Sequence, residues 1–518
     1  MHHLGLDFGT TTSILSYHDG QHLESFKLGG ATATPYIPSV LSIDKTDNNS
    51  LQIGKAALLN QGDKDYEVYT YFKMLLAEQN TEKLTEHGYV HYSPQTIAKQ
   101  YLEQLLKLYR KEHGINQPLQ KLVITVPEIW VREGSHAARE ALKKICTELQ
   151  LRVKFLSEPV AASVYFADRF KAKHQCDFQG HVLVCDYGGG TLDLSLSAVE
   201  GDKITVLEGT GKGSAKETVG IAGVAFDKAV VTRVLNGQAD KHFYKLLREF
   251  EEHKMIQTDK LEKSLERYRK NPTTNKKVFE IGDYQVEAKD LADIFDQLIQ
   301  PELQKALSEM SEYLQIHNVD TSHGETFRVV MVGGFSNFYL VRRTVRDFFN
   351  SKTEADTRFH TDFDLIDTAL AISKGAALVA NGAFKIDMAC PISVGIRAKN
   401  ACLEDEDILL LEKGIPLERY QQPQFSGWLE VGSEKTLNTK SLKLFLDVGS
   451  GKRRSIDLKG KLTDFIPNPN IHNKWQVGFA VDDDLIFTLY VKDKQGVLKT
   501  TQLGNLEEKI SGLHISEE

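Results

Sequence analysis

The chain has 518 residues, 41% hydrophobic and 26% charged, with a formal net charge of −8. That composition is ordinary for a globular protein and leaves room for about two or three domains, while the acidic balance argues against a general nucleic-acid binder. Five cysteines without a C-x-x-C pair read as reduced thiols. No apolar run approaches the about 20 residues that span a bilayer, and the first expected strand begins near His3 with no space for a signal peptide. The expectation is a cytoplasmic protein with neither membrane nor nucleic acid as partner.

The first expected element is glycine-rich: Leu4-Gly5-Leu6-Asp7-Phe8-Gly9-Thr10-Thr11-Thr12-Ser13. It reads as a strand, a tight turn and a second strand. Strands over 4–18 and roughly 37–54 are followed by a polar helical stretch centred on Tyr69 to Leu76, which carries Lys73. Ser93 and Pro94 mark a helix start, and Gly114 marks its end. Leu122 to Val126 is a buried strand stopped by Pro127. A helix over 134–149, a strand over Val153 to Leu156 and a helix opened by Ser157-Glu158-Pro159 follow. Glu158 sits where a strand gives way to a helix N-terminus. It reads either as a dipole-compensating cap or as an acid or base aimed into a cleft.

Leu183-Val184-Cys185-Asp186-Tyr187-Gly188-Gly189-Gly190-Thr191-Leu192-Asp193 repeats the first signal. In both stretches glycine lets backbone approach a phosphate, and N–H groups and Thr hydroxyls can cradle its oxygens. Asp7 and Asp186 would repel a phosphate without a cation, so they imply Mg²⁺ held through water. Strands follow over 192–208. Gly209 to Gly213 lacks full P-loop spacing and reads as a flexible hairpin loop. Residues 224–270 read as charged helices, 277–286 as strands, and 288–316 as a helix broken near Pro301. Phe327 to Val332 is a strand ending at Gly333-Gly334, and 367–380 is a helix.

This alternation up to about residue 382 describes an α/β architecture of two related halves with a ligand between them. From about 390 short alternating segments separated by turns read as an all-β sandwich. The expected domains are 1–382, a linker over 383–389, the sandwich over 390–505 and a short tail over 506–518.

These motifs resemble the seventy-kilodalton heat-shock chaperones, the DnaK-like family, within the actin-like ATPases. The resemblance rests on both glycine stretches, Phe72-Lys73-Met74-Leu75, Ile124-Thr125-Val126-Pro127, Glu158-Pro159-Val160-Ala161-Ala162, Val332-Gly333-Gly334, Pro391 to Ile396 and Tyr490 to Lys494. It implies an actin-like ATPase fold followed by a β-sandwich that binds peptides. It implies an ATP-driven chaperone of stress response and protein folding. ATP or ADP would be bound with Mg²⁺, K⁺ being a further candidate cation. By the same resemblance Gly9, Thr10, Thr11, Thr12, Gly188, Gly189, Gly190 and Thr191 would hold phosphates, and Asp7 and Asp186 the Mg²⁺ water shell. Lys73 would neutralise charge on the transferring phosphoryl group and help place the attacking water, and Glu158 and Asp193 would orient that water or take its proton. Glu266, Arg269, Lys270 and Thr273, with Gly333, Gly334, Phe335 and Asn337, would surround adenosine. Ile396, Leu442 and Leu444 would contact peptide or fill the sandwich core. Implied partners are unfolded polypeptides or a specific client, a J-domain co-chaperone and a nucleotide exchange factor.

Some residues depart from the pattern. Phe335-Ser336-Asn337 replaces Ser-Thr-Arg, which removes an arginine that would stack on adenine. Ser135 stands where an arginine relays nucleotide state, with Arg139 a helical turn on, and the linker is less apolar. The chain stops at Glu518, soon after Tyr490, so the sequence reads as a member without the family's helical lid. An alternative is a nucleotide-gated interaction protein that hydrolyses weakly or not at all and binds one specific partner through the sandwich.

Overall fold

Each glycine-rich stretch folds as a strand, a turn and a second strand, because glycine and threonine interrupt two apolar runs that pair with each other. His3–Asp7 runs antiparallel to Thr12–His18, with Leu6 opposite Leu15, and parallel to Lys121–Val126. Gln179–Tyr187 runs antiparallel to Leu192–Glu200 and parallel to Phe327–Val332. The same hairpin with the same parallel neighbour therefore occurs in two lobes. The first sheet continues through Arg152–Ser157, parallel to Lys121–Val126. The computed structural model describes residues 2–29, 33–47, 49–116, 119, 121–128, 130, 136–212, 222–237, 243–351, 353, 355–362, 365–399, 404–447, 453–482 and 485–504. The chain divides into two compact units. The first gathers residues up to Lys385, and the second takes the chain from Ile386 with the short pieces Lys203–Glu208 and Ile316–Asn318.

In the first unit, helix Leu365–Asn381 packs on His3–Asp7 and against helix Glu158–His174. Helix Pro94–Glu112 begins as its sequence implies, with Ser93 Oγ accepting from Thr96 N at 3.1 Å. Three expectations change. Tyr66–Thr70 is a strand paired with Val40–Asp44, not part of a helix. Its aromatic and β-branched side chains suit a pleated surface, and pairing supplies the partners a local helix would have supplied. Gly209 to Lys212 belong to the strand Lys203–Lys212 rather than to a loop. The expected break near Pro301 is a wide helical turn, Phe295–Ile299, that joins helices Ala288–Ile294 and Gln300–Ile316. The extra residue in that turn accommodates a proline that cannot donate to the preceding one.

In the second unit, one sheet has the order Asp405–Leu411, Ser393–Lys399, Lys443–Asp447, Arg453–Asp457. The other includes Lys474–Val481, Phe487–Asp493 and Leu498–Gly504. The inner faces of both sheets share one apolar cluster that includes Val394, Leu446, Trp475 and Phe487. Residues 383–389, expected as a linker, contain the strand Lys385–Met388. The cause is backbone pairing, since Ala389 N donates to Val206 O at 2.8 Å. Among the described residues Cys146, Cys185 and Cys390 are buried thiols and Cys176 is exposed. Cys402, Ser135 and the tail over 506–518 lie outside the described residues. No helix among the described residues is long and apolar enough to cross a membrane.

Glycine permits the helix crossing in the first unit. A Cβ on Gly375 would lie 1.8 Å from Ala161 O. Gly375→Ala should therefore force the two helices apart and cost about 1–3 kcal/mol, as overpacking does. Chemical denaturation checks this, and a variant as stable as the parent would contradict the close crossing.

Candidate functional site

The two glycine turns face each other. A Cβ on Gly190 would lie 2.7 Å from Thr10 Oγ1, and one on Gly189 would lie 3.0 Å from the Thr11 methyl. Gly9 approaches its own turn so closely that a Cβ would meet Thr12 O at 2.1 Å. Gly188 N closes the second turn on Thr191 O at 3.1 Å. The third turn, after Phe327–Val332, also comes to this centre. Gly333 has φ 84°, and a Cβ there would strike Asp186 Oδ1 at 2.4 Å. Thr10, Thr11, Gly188, Gly189 and Gly190 are thus gathered, with Thr12 opening its strand and Thr191 buried beside them.

Lys73 reaches the same centre from the chain after Tyr66–Thr70. Tyr71 takes φ 59° and Met74 N donates to Tyr71 O at 3.1 Å, so the chain turns and carries Lys73 inward, where it is 2% exposed. Its Nζ donates to Glu158 Oε1 at 2.6 Å. Glu158 is the first residue of its helix, so the helix dipole also favours its carboxylate. Asp186 and Asp193 stand directly opposite each other in the second hairpin.

Carboxyl groups outnumber cations here. Burial, then Glu158, Asp193 and Asp7, push the Asp186 carboxyl well above the usual range, with Lys73 opposing. Burial and Glu158 push Asp7 up to about 7, against Lys73 and a hydrogen bond from Thr125. A single ammonium does not balance this set, so a divalent cation fits it. Among the described residues no three His, Cys, Asp or Glu side chains converge closely enough to hold an ion directly. That arrangement suits Mg²⁺, which keeps several waters.

The residues assigned to adenosine divide. Glu266, Arg269 and Lys270 stand at the end of helix Thr258–Lys270, the last two exposed, Thr273 is exposed in the turn Pro272–Thr274 after it, and all four have local partners. Arg269 pairs with Asp296 at 2.8 Å, Lys270 with Glu266 at 2.7 Å, and Thr273 Oγ1 donates to Asn271 Oδ1 at 2.8 Å. Gly334 is exposed and Asn337 half-buried. Phe335 differs from the expectation of a ring presented to the base. It is 3% exposed, stacked on Phe338 and packed against Tyr187 and Phe226, because a large apolar ring beside an aromatic core gains most by joining it.

Of the two places expected for the sandwich residues, the structure shows the core. Ile396 and Leu444 are register partners and lie inside the core, at 1% and 0% exposure. Leu442 is partly buried against that core. Side chains alternate along a strand, so the outward neighbours are Gly395 and Phe445, whose ring lies where a Cβ on Gly395 would be, at 2.2 Å. Arg139, near the proposed relay position, places its guanidinium over Phe155.

Sequence reasoning missed a polar network behind the second glycine turn. Helix Gly223–Val234 starts on that turn, with Val224 N donating to Gly189 O at 2.9 Å. Its Asp227 accepts two hydrogen bonds from Lys254 Nζ, at 2.5 and 2.6 Å. Lys228 Nζ lies over the Tyr71 ring at 5.0 Å. Burial, then Asp227, push Glu251 from 4.5 up to about 7, opposed by Lys254 and Lys228. The only sequence signal was charge at helical spacing, which equally describes a solvated face.

Two measurements follow from these charges. Lys73→Met strands the buried Glu158 carboxylate and should cost about 3–5 kcal/mol. The double variant with Glu158→Gln should recover most of it in denaturant titrations, and strict additivity of the two single changes would refute the coupling. For Glu251 the folded pKa exceeds the unfolded value. The folded state therefore holds the extra proton, and stability falls as pH rises from about 4.5 to 7. Glu251→Gln should thus gain thermal midpoint relative to the parent on going from pH 5 to pH 8. A pH-independent difference would contradict the shift.

Comparison with known proteins brings these features together. A family model described as "Hsp70 protein" matches residues 53–406. The "Chaperone protein DnaK" of Nitrosopumilus maritimus (strain SCM1) is 22% identical over 511 residues, 95% of this chain and 73% of that protein. The "Chaperone protein HscA homolog" of Mannheimia succiniciproducens is 25% identical over 454 residues, 81% of this chain and 65% of that protein. The "Chaperone protein DnaK" of Mycoplasmopsis synoviae is 30% identical over 210 residues, and there the chain spans about a third of the relative's own length, 32%. With two related α/β lobes, a β-sandwich and a family match over most of its length, the chain belongs to the Hsp70 protein family.

Proposed function

We propose that the first unit binds Mg–ATP between its glycine turns and hydrolyses it, and that the sandwich unit binds extended segments of unfolded polypeptide, as a chaperone. The observation that carries this reading is the buried Lys73–Glu158 pair set among Asp7, Asp186 and Asp193 between facing turns rich in glycine and threonine. Phosphoryl transfer needs positioning and charge neutralisation rather than covalent help. Asp7 and Asp186 would hold Mg²⁺ through its waters, and the ion would neutralise phosphate charge there. The backbone N–H groups of Gly9, Gly188, Gly189 and Gly190 and the hydroxyls of Thr10, Thr11, Thr12 and Thr191 would bind phosphate oxygens. Lys73 would stabilise charge on the phosphoryl group, Glu158 would accept a proton from the attacking water, and Asp193 would orient it. Adenosine would lie by Gly333, Gly334 and Asn337 and the exposed end of helix Thr258–Lys270. Relatives named as chaperones support the chaperone role, and from the resemblance come a J-domain protein and an exchange factor as partners.

A second reading is a nucleotide-gated protein that binds one specific partner. The enclosed Phe335, Ile396 and Leu444 favour it, since none of these side chains is presented to a ligand. Steady-state Mg–ATP hydrolysis with and without excess unfolded polypeptide separates the two. The chaperone reading expects hydrolysis that rises with polypeptide and falls about 10²-fold or more in Lys73→Ala. Hydrolysis that ignores polypeptide selects the second reading, and no hydrolysis removes the ATPase assignment.

A further inference from the structure

Strand Lys121–Val126 ends at Pro127, and the chain then turns, with Trp130 N donating to Pro127 O at 3.0 Å. Two side chains of this turn are enclosed: Glu128 is 1% exposed and Trp130 is 3% exposed. Trp130 is directed at Lys73, and Glu128 at Ser157, the residue before Glu158. The Trp130 ring lies against Lys73 Nζ, 5.7 Å from ring centroid to nitrogen, within range of cation–π attraction. The Glu128 carboxylate accepts a hydrogen bond from Ser157 Oγ, on the residue immediately before Glu158.

The Ser157 bond comes at the expense of an ordinary one. Ser157 is the N-cap of helix Glu158–His174. A serine there usually turns its hydroxyl onto an N–H of the first helical turn. Here it makes no capping bond and donates to Glu128 instead. Val126 and Ser157 are register neighbours at the ends of two parallel strands, so the bond ties those ends together at the point where Glu158 leaves the sheet. Gly209 provides the space, since a Cβ there would lie 2.1 Å from Glu128 Oε1. A buried carboxylate, a diverted cap and a side-chain-free position opposite it all converge on the same short turn.

We propose that Glu128 and Trp130 are positioning residues for phosphoryl transfer. Trp130 holds the Lys73 ammonium by its ring face, and Glu128 holds Glu158 through Ser157. This rests on the ATPase reading. Neither side chain is placed to touch phosphate, so both act on the rate of the chemical step and not on nucleotide affinity. Small misplacements of reacting groups are costly to rate.

The test compares Glu128→Ala, Glu128→Gln, Trp130→Leu, Trp130→Phe and Ser157→Ala with the parent full chain. Equilibrium Mg–ATP binding, single-turnover hydrolysis and thermal midpoint are read for each. Glu128→Ala, Ser157→Ala and Trp130→Leu should slow hydrolysis by about tenfold or more while the ATP Kd stays within about twofold. Glu128→Gln and Trp130→Phe should restore most of the rate, because an amide oxygen still accepts from Ser157 and a phenyl ring still presents a π face. Ser157→Ala removes only a hydroxyl, so it decides the Glu128 half if Glu128→Ala does not fold, and Trp130→Phe decides the other half. Unchanged rates across the set, with an active parent, overturn the proposal and leave the ATPase reading standing. Losses matched in ATP affinity, or not rescued by Gln and Phe, overturn it as well. A parent that does not hydrolyse ATP overturns the ATPase reading and this assignment with it.

Discussion

The first unit depends on one ammonium group placed among too many carboxylates. Lys73 and Glu158 form a nearly dry ion pair, and Asp7, Asp186 and Asp193 share the same low-dielectric region. Removing these charges from water is costly, and one cation cannot compensate for all of them. The surrounding structure is built to hold that excess. Three glycine-containing turns approach within reach, a helix N-terminus points at it, and threonine hydroxyls line it. Such an arrangement is a poor way to stabilise a fold and a suitable way to receive a polyanion with its own counter-ion.

The carboxylates come from two copies of one local solution. Asp7 ends the first strand of one antiparallel hairpin and Asp186 is the last residue but one of the first strand of the other, and each hairpin has a parallel strand on its other side. This repeat was legible in the sequence because the turn needs residues with special backbone freedom and the flanking strands need apolar runs. Both leave composition signals over about ten residues, the scale on which periodicity can be read. The same holds for the Ser93–Pro94 helix start and for the change to short alternating strands after about residue 390. A common site for Glu158 and Lys73 was implied only by the resemblance, and their ion pair was not expected, since residues so far apart in sequence carry no local sign of contact.

What was not legible depended on choices between partners. Tyr69-Thr70-Tyr71-Phe72 has a helix-compatible apolar pattern, but Val40–Asp44 is available as a strand partner and decides the matter. Ile396 and Leu444 face inward because alternation fixes which residues share a face but not which face is covered. Glu128 gave no signal at all. A lone glutamate after a strand-ending proline is usually exposed, and only the assembled fold shows Ser157 turned towards it and Gly209 leaving room for it.

Phe335 shows how a departure from the family's pattern can be absorbed by the core behind it. An arginine at the position of Asn337 could stack its guanidinium on a base, and asparagine has no charge with which to do so. In the structure a cation does meet an aromatic ring here: Lys254, anchored by Asp227, lies 5.4 Å from the centre of the Phe335 ring. That pair faces the interior of the second lobe, where Phe226, Phe338 and Tyr187 enclose the ring. It joins helix Gly223–Val234, which starts on the glycine turn, to the segment after Gly333, which touches Asp186. The interaction fixes the second glycine turn and the turn at Gly333 relative to each other, so the ring contributes to the rigidity of these two turns.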